Sequence, residues 1–177
     1  MTTSSPDDER GGTGSRQAER AAVAEVLADG TLRIDLTDPP SREDLALPPG
    51  RTSIPLEADE GTVEVVVTTA NDPVLAVPAD TVFVSAPDGS SPPEEVVVLR
   101  RGLTDEELRD VVDTAVLELG VDPVAGDLAL RDISGDLASD TSRVLDTQVA
   151  SPATIQVEVG RTALEGRGSV YYHLSWS

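Results

Sequence analysis

Apolar and polar side chains alternate along several short segments of the chain, which is the pattern of a half-buried β-strand. Residues 31–36 alternate in this way, residues 61–70 are rich in valine, and residues 153–160 place an isoleucine and two valines on one face. β-Branched side chains favour strands over helices. Because short turns separate many of these segments, we expect a mainly antiparallel sheet.

Residues 94–101 contain four consecutive apolar side chains between charged residues. A short apolar run of this kind is typical of a central strand that is buried on both faces. The segments 127–133 and 144–152 are two weaker strand candidates. A hairpin that joins 153–160 to 169–176 completes the sheet.

An amphipathic α-helix is predicted from residue 104 to residue 119. Thr104 and Glu107 have the spacing of a capping box, and Leu103 and Leu108 are placed to pack across that cap. One helix face carries the apolar stripe Leu108, Val111, Val112, Ala115, Val116 and Leu119. Gly120 follows the stripe, as a glycine that ends a helix does. A second, weaker helix is expected near residues 18–28.

These elements predict an α+β fold, in which the helix at 104–119 packs on a mainly antiparallel sheet. Residues 1–15 are polar and are expected to be a disordered tail. Residues 16–92 form a helix followed by a β-rich segment, and residues 93–177 form a β-α-β-β-β unit. The proline-rich turn at 87–93 is the natural boundary if the two segments are separate domains; the alternative is one domain.

The charge of the chain restricts its partners. It has 33 acidic and 13 basic residues, a formal net charge of −20, and all of its basic residues are arginine. Such a surface repels phosphate backbones and anionic membranes, so we expect neither a nucleic-acid partner nor a membrane partner. A basic protein partner would be attracted.

Few residues offer catalytic or metal-binding chemistry. Cysteine is absent and histidine occurs once, so a zinc site is not expected, and no motif indicates a nucleotide cofactor. Calcium is a weaker alternative, since aspartates are frequent between residues 122 and 140, but their spacing differs from that of an EF-hand loop. We therefore predict no catalytic residue, no cofactor site and no metal site.

The last nine residues, SVYYHLSWS, hold three of the four aromatic residues and the single histidine. In a strand, Val170, Tyr172, Leu174 and Trp176 would share one face, and Tyr171 and His173 the other. The first set supplies large rings to a core that is otherwise aliphatic. Tyr171 and His173 are the candidate interaction face.

The sequence predicts a non-catalytic, acidic protein-interaction module or assembly subunit. Two alternatives stay open: an acidic inhibitor or immunity-type protein that binds a basic partner, and a small-ligand binder or enzyme whose site the sequence does not reveal. The chain has neither the order of a secretory signal nor an apolar run of membrane-spanning length. A soluble cytoplasmic protein is expected, although a processed fragment of an exported protein would look the same.

The capping box gives a first test. We expect Thr104→Ala to lower the free energy of unfolding by about 0.5–2 kcal/mol, because the substitution removes the oxygen that accepts a bond from the first helical turn. Chemical denaturation measures the effect. An unchanged midpoint would mean that the helix begins at another residue.

Overall fold

The computed structural model describes residues 11–58, 61–69, 72–135, 140–149, 152–162 and 166–176, with the side chains of 11–15 left aside. The chain is α+β, as the sequence predicts. Its helices and strands, in chain order, are α1 (Gly11–Val26), β1 (Thr31–Asp35), β2 (Ser53–Leu56), β3 (Val63–Thr69), β4 (Asp72–Ala79), β5 (Thr81–Ser85), β6 (Glu95–Leu103), α2 (Asp105–Glu118), α3 (Pro123–Gly135), β7 (Thr141–Asp146), β8 (Ala153–Arg161) and β9 (Gly168–Trp176).

Six strands form a large sheet in the order β2-β5-β6-β9-β8-β7, and every neighbouring pair is antiparallel. The predicted pairing of 153–160 with the last strand is confirmed, with Val157 opposite Tyr172. β9 also pairs with β6, so the last strand in sequence lies in the middle of the sheet. It joins the strands β2-β5-β6 to the hairpin β8-β7.

A smaller sheet of three strands has the order β1-β3-β4, with β1 parallel to β3 and β3 antiparallel to β4. Val63, Val65 and Val67 of β3 are fully buried, as their alternation predicts. One cluster of buried apolar side chains joins this sheet, α2, α3 and one face of the large sheet. The core is therefore continuous across the whole described chain.

The α2 helix begins as its sequence predicts. The Thr104 hydroxyl accepts a bond from the Glu107 N–H, and the Glu107 carboxylate accepts one from the Thr104 N–H. The bonds that the Thr104 N–H and the Thr104 hydroxyl donate to this carboxylate hold the pKa of Glu107 below its ordinary value. Leu119 is the C-cap, and Gly120 follows with a φ of 69°, which a glycine adopts without strain.

The predicted strand at 127–133 is wrong, because these residues belong to the helix α3. Asp122 caps this helix by accepting bonds from the N–H groups of Val124 and Ala125. Pro123 takes the first helical position, where its missing N–H costs nothing. The buried residues Gly126, Ala129, Leu130 and Ile133 follow a helical spacing. The second half of the chain is therefore β-α-α-β-β-β rather than β-α-β-β-β.

Two further expectations need correction. The first helix begins at Gly11, not near residue 18, so the predicted tail of residues 1–15 is wrong for 11–15, and residues 1–10 lie outside the described residues. The pattern could not reveal these added turns, because they carry no apolar side chain.

Strand β6 is central, but Val97 is only half-buried, since the layers of the fold cover one face of the sheet. None of the helices in the described ranges is long and apolar enough to cross a membrane.

The loop at 87–93, where the sequence suggests a boundary, is held against an earlier loop by Arg42. The Arg42 guanidinium donates to the carbonyl oxygens of Pro48, at 2.7 Å, and Ser91, at 2.6 Å. The N–H of Gly50 donates to the carbonyl of Gly89 at 2.8 Å. The strands on the two sides of this loop, β5 and β6, are paired in one sheet. A division of the chain into two domains stays a prediction.

The contact between α2 and α3 gives a second test. A Cβ atom at Gly126 would lie 2.9 Å from Cγ1 of Val112, a stiff β-branched side chain, whereas one at Gly135 would meet nothing within 4 Å. We expect Gly126→Ala to lower the free energy of unfolding by about 1 kcal/mol, because overpacking costs more than the gain in helix propensity. Gly135→Ala is the matched control and should have no effect or a small stabilising one. Urea denaturation of both variants decides, and a stabilised Gly126→Ala would contradict this packing.

Candidate functional site

In the part of the chain that the structure describes, one face of the large sheet is covered by neither the helices nor the small sheet. Val96, Val98, Tyr172 and Leu174 belong to the core cluster, but Val97, between two of them on β6, does not. Three rows of side chains cross the sheet on this uncovered side. The first is Pro55, Phe83, Val97, His173, Gln156 and Asp146; the second is Thr81, Leu99, Tyr171, Glu158 and Val144; the third is Ser53, Ser85, Glu95, Ser175 and Thr154. We call the surface formed by these rows the open face.

The centre of the open face is apolar. Phe83 is 44% exposed and Val97 beside it is half-buried. In the next row Leu99 is almost fully buried between Thr81 and Tyr171, its neighbours on the paired strands. Exposed aromatic side chains on a rigid sheet are typical of interaction surfaces, because they bury a large area and lose little conformational freedom.

His173 lies between two carboxylates from the neighbouring strands. Its Nδ1 is 3.3 Å from Oε1 of Glu95 on β6, and its Nε2 is 3.5 Å from Oε2 of Glu158 on β8. The ring of Tyr171 stacks beside the imidazole, with centroids 6.3 Å apart. The three side chains are partly exposed, at 30% for His173, 42% for Glu95 and 28% for Glu158.

The charge of the open face is negative. Its three rows hold three carboxylates, from Glu95, Asp146 and Glu158, and no arginine. Of the arginines on the neighbouring segments, Arg100 pairs with Glu107 and Arg143 with Asp132, while the exposed Arg101 lies one row beyond Tyr171, opposite Ser169. Within the three described rows, the only side chain that can become a cation is His173.

The arrangement of His173 differs from that of a catalytic base or a metal ligand. Both ring nitrogens face carboxylates, so neither faces a hydroxyl group that it could activate. The two carboxylates lie at opposite nitrogens, so they do not converge with one nitrogen on a single ion. In the part of the chain that the structure describes, no group of three acidic or histidine side chains is placed to hold a metal.

The aspartates considered for calcium serve α3. Asp122 caps its N-terminus, and Asp132 pairs with Arg143 at 2.9 Å. Asp127 lies between them on the helix, and Asp136 lies outside the described residues.

A separate cavity of about 660 Å³ lies between α1 and the loop at 42–49, lined mainly by apolar side chains.

The sequence places Tyr171 and His173 on one face, and the structure agrees with this placement. The sequence does not identify the neighbours of Tyr171 and His173, because only strand pairing brings these residues together. The neighbours are Phe83, Val97, Glu95 and Glu158. Phe83 was the available signal: it is the single phenylalanine of the chain, on the polar side of an alternating strand. No protein-family model, curated protein or solved structure matches the chain.

The buried side of β9 gives a third test. Burial raises the pKa of Tyr172 from 10.0 to about 12, so the folded chain keeps this phenol protonated where the unfolded chain ionises it. Stability should therefore fall as the pH rises from about 10 to about 12. Tyr172→Phe should reduce this alkaline loss, and Tyr171→Phe, on the opposite face, should leave it in place. The midpoint of urea denaturation, measured across this pH range, gives the loss of stability. If the midpoint falls equally steeply with pH in the wild type and in Tyr172→Phe, the role of Tyr172 is contradicted.

Proposed function

We propose that the chain is a non-catalytic protein-interaction module and that it binds a basic protein partner through the open face. The observation that carries the proposal is the exposed Phe83 next to Val97, at the centre of a sheet face that the fold leaves uncovered. Both side chains are held by paired strands, so little ordering is needed when a partner covers them. Apolar and aromatic side chains at the centre of an interface supply most of its affinity.

The acidic side chains favour a basic partner. Glu95 and Glu158 lie beside the apolar centre, and Asp146 lies at its edge strand. A partner surface with arginine or lysine around an apolar centre would match this arrangement. The net charge of −20 would also speed the encounter with such a surface, and this effect weakens as salt rises.

Salt dependence separates the two interaction roles. An acidic inhibitor or immunity-type protein relies on charge attraction, so it should lose its partner at high salt. An assembly subunit relies more on the burial of Phe83 and Val97, so it should keep the partner. The open face supports both roles, and the apolar centre favours the assembly subunit.

A tagged pull-down from the native host's lysate, at low and high salt, tests the proposal. Phe83→Ser should weaken capture of a stoichiometric partner about tenfold, because it removes the exposed ring and leaves the core cluster intact. Leu117→Ser is the matched control, since Leu117 is 79% exposed on α2, outside the open face. It should leave capture unchanged.

Equal unfolding midpoints for the wild type and both variants establish that folding is not the cause. Capture that is indifferent to Phe83→Ser, or that is lost with Leu117→Ser instead, would contradict a binding site on the open face.

A further inference from the structure

We propose that His173 couples binding at the open face to the release of a proton, so that a basic partner binds more tightly at neutral pH than at mildly acidic pH. This inference rests on the proposed function and adds regulation to the same surface. Its basis is the position of the imidazole between Glu95 and Glu158, each at one ring nitrogen.

The composition makes His173 the natural pH sensor of the chain. It is the single histidine, and cysteine is absent. Histidine is the side chain that ordinarily changes charge between about pH 5 and pH 8. A change of side-chain charge in this pH range is therefore expected at His173, which lies at the centre of the candidate binding surface.

The geometry around the ring gives each imidazole nitrogen one carboxylate neighbour. A neutral imidazole has one N–H and can donate to one carboxylate only, while its second nitrogen then faces the other carboxylate with a lone pair. The imidazolium has two N–H groups and can donate to both Glu95 and Glu158. The observed distances of 3.3 and 3.5 Å place an acceptor at each nitrogen.

The other residues around His173 leave its contacts with Glu95 and Glu158 undisturbed. On β8, Gln156 is the residue paired with His173. On β9, the ring of Tyr171 stacks beside the imidazole, and Ser175 is the next residue on the same face. Val97 is the directly paired residue on β6. Asp146, one strand further on, adds a negative charge and receives a bond from Gln156 at 3.0 Å. No arginine lies in these rows of the described sheet to replace the imidazolium.

A partner's arginine or lysine would compete with the proton of His173. Both need the carboxylates of Glu95 and Glu158, and two cations at this place repel each other. Binding of the partner therefore favours the neutral imidazole and releases a proton. By thermodynamic reciprocity, a protonated His173 weakens partner binding by the same factor.

A synthetic peptide with alternating arginine and tryptophan residues serves as the probe. We expect its affinity for the wild type to be about five- to tenfold weaker at about pH 5.5 than at about pH 8, at constant ionic strength. His173→Gln should bind equally at both pH values. Gln156→Ser, a change in the same row that keeps the histidine, should retain the wild-type pH dependence.

Calorimetry in buffers of different ionisation enthalpy adds a direct readout. Near the middle of the pH range, the wild type should release a fraction of a proton per bound peptide, and His173→Gln should release none. Phe83→Ser should weaken the peptide at both pH values, which places the probe on the open face.

Two failures are distinguishable. Peptide binding that depends on Phe83 but not on pH overturns the proton coupling and leaves the proposed function standing. If Phe83→Ser binds the peptide as tightly as the wild type does, or if the wild type binds it at neither pH, both the proposed basic-partner surface and the proton coupling are overturned.

Discussion

The large sheet depends on the insertion of β9 between β6 and β8. Tyr172 is the largest fully buried side chain and lies in register with Val98 on one side and Val157 on the other. With aromatic residues at 2% of the chain, few other side chains could fill this volume. Since β9 alone connects β2-β5-β6 with β8-β7, loss of this strand would leave two separate groups of strands. The six-stranded sheet therefore cannot be completed until β9 has formed its pairs with both β6 and β8.

The same insertion creates the open face. Side chains alternate along a strand, so the register that buries Tyr172 also directs Tyr171 and His173 to the other side. Among the described residues, the helices and the small sheet lie on one side of the large sheet, and the opposite side has the exposed Phe83. Core and candidate site are thus two consequences of one strand register. A one-residue shift of β9 would exchange them, which makes the register costly to change.

Local patterns predicted most of the architecture. The capping box at Thr104 and the alternation in β9 each depend on residues within a few positions of one another, and both appear in the structure as expected. The sequence pattern does not predict α3, because Asp122-Pro123 lies just beyond Gly120 and is also typical of the turn that follows a helix end. The same two residues also cap and begin α3. The buried face of α3 includes the small residues Gly126 and Ala129, which weaken its apolar periodicity.

The candidate site was less predictable, because strand pairing builds it from distant parts of the chain. His173 and Glu95 are 78 positions apart, and no periodicity in the sequence links them. The sequence did place Tyr171 beside His173, since period-two alternation fixes that relation locally. Which strands lie on either side follows from the packing of the whole core, and single-segment patterns do not contain that information.

The placement of the arginines explains why the open face stays acidic in a chain that does carry cations. Arg161 continues the inward alternation of β8 and is 7% exposed, and it pairs with Asp105 in the first turn of α2. Arg42 holds two loops together through carbonyl oxygens. These guanidinium groups anchor one element to another, and their burial would be unfavourable without these partners. In the part of the chain that the structure describes, no arginine pairs with the carboxylates of the open face, and Arg101 lies one row beyond them. Their nearest counter-charge therefore comes from His173, from solvent ions or from a partner. A binding site with this arrangement responds both to basic surfaces and to protons, since the two satisfy the same carboxylates.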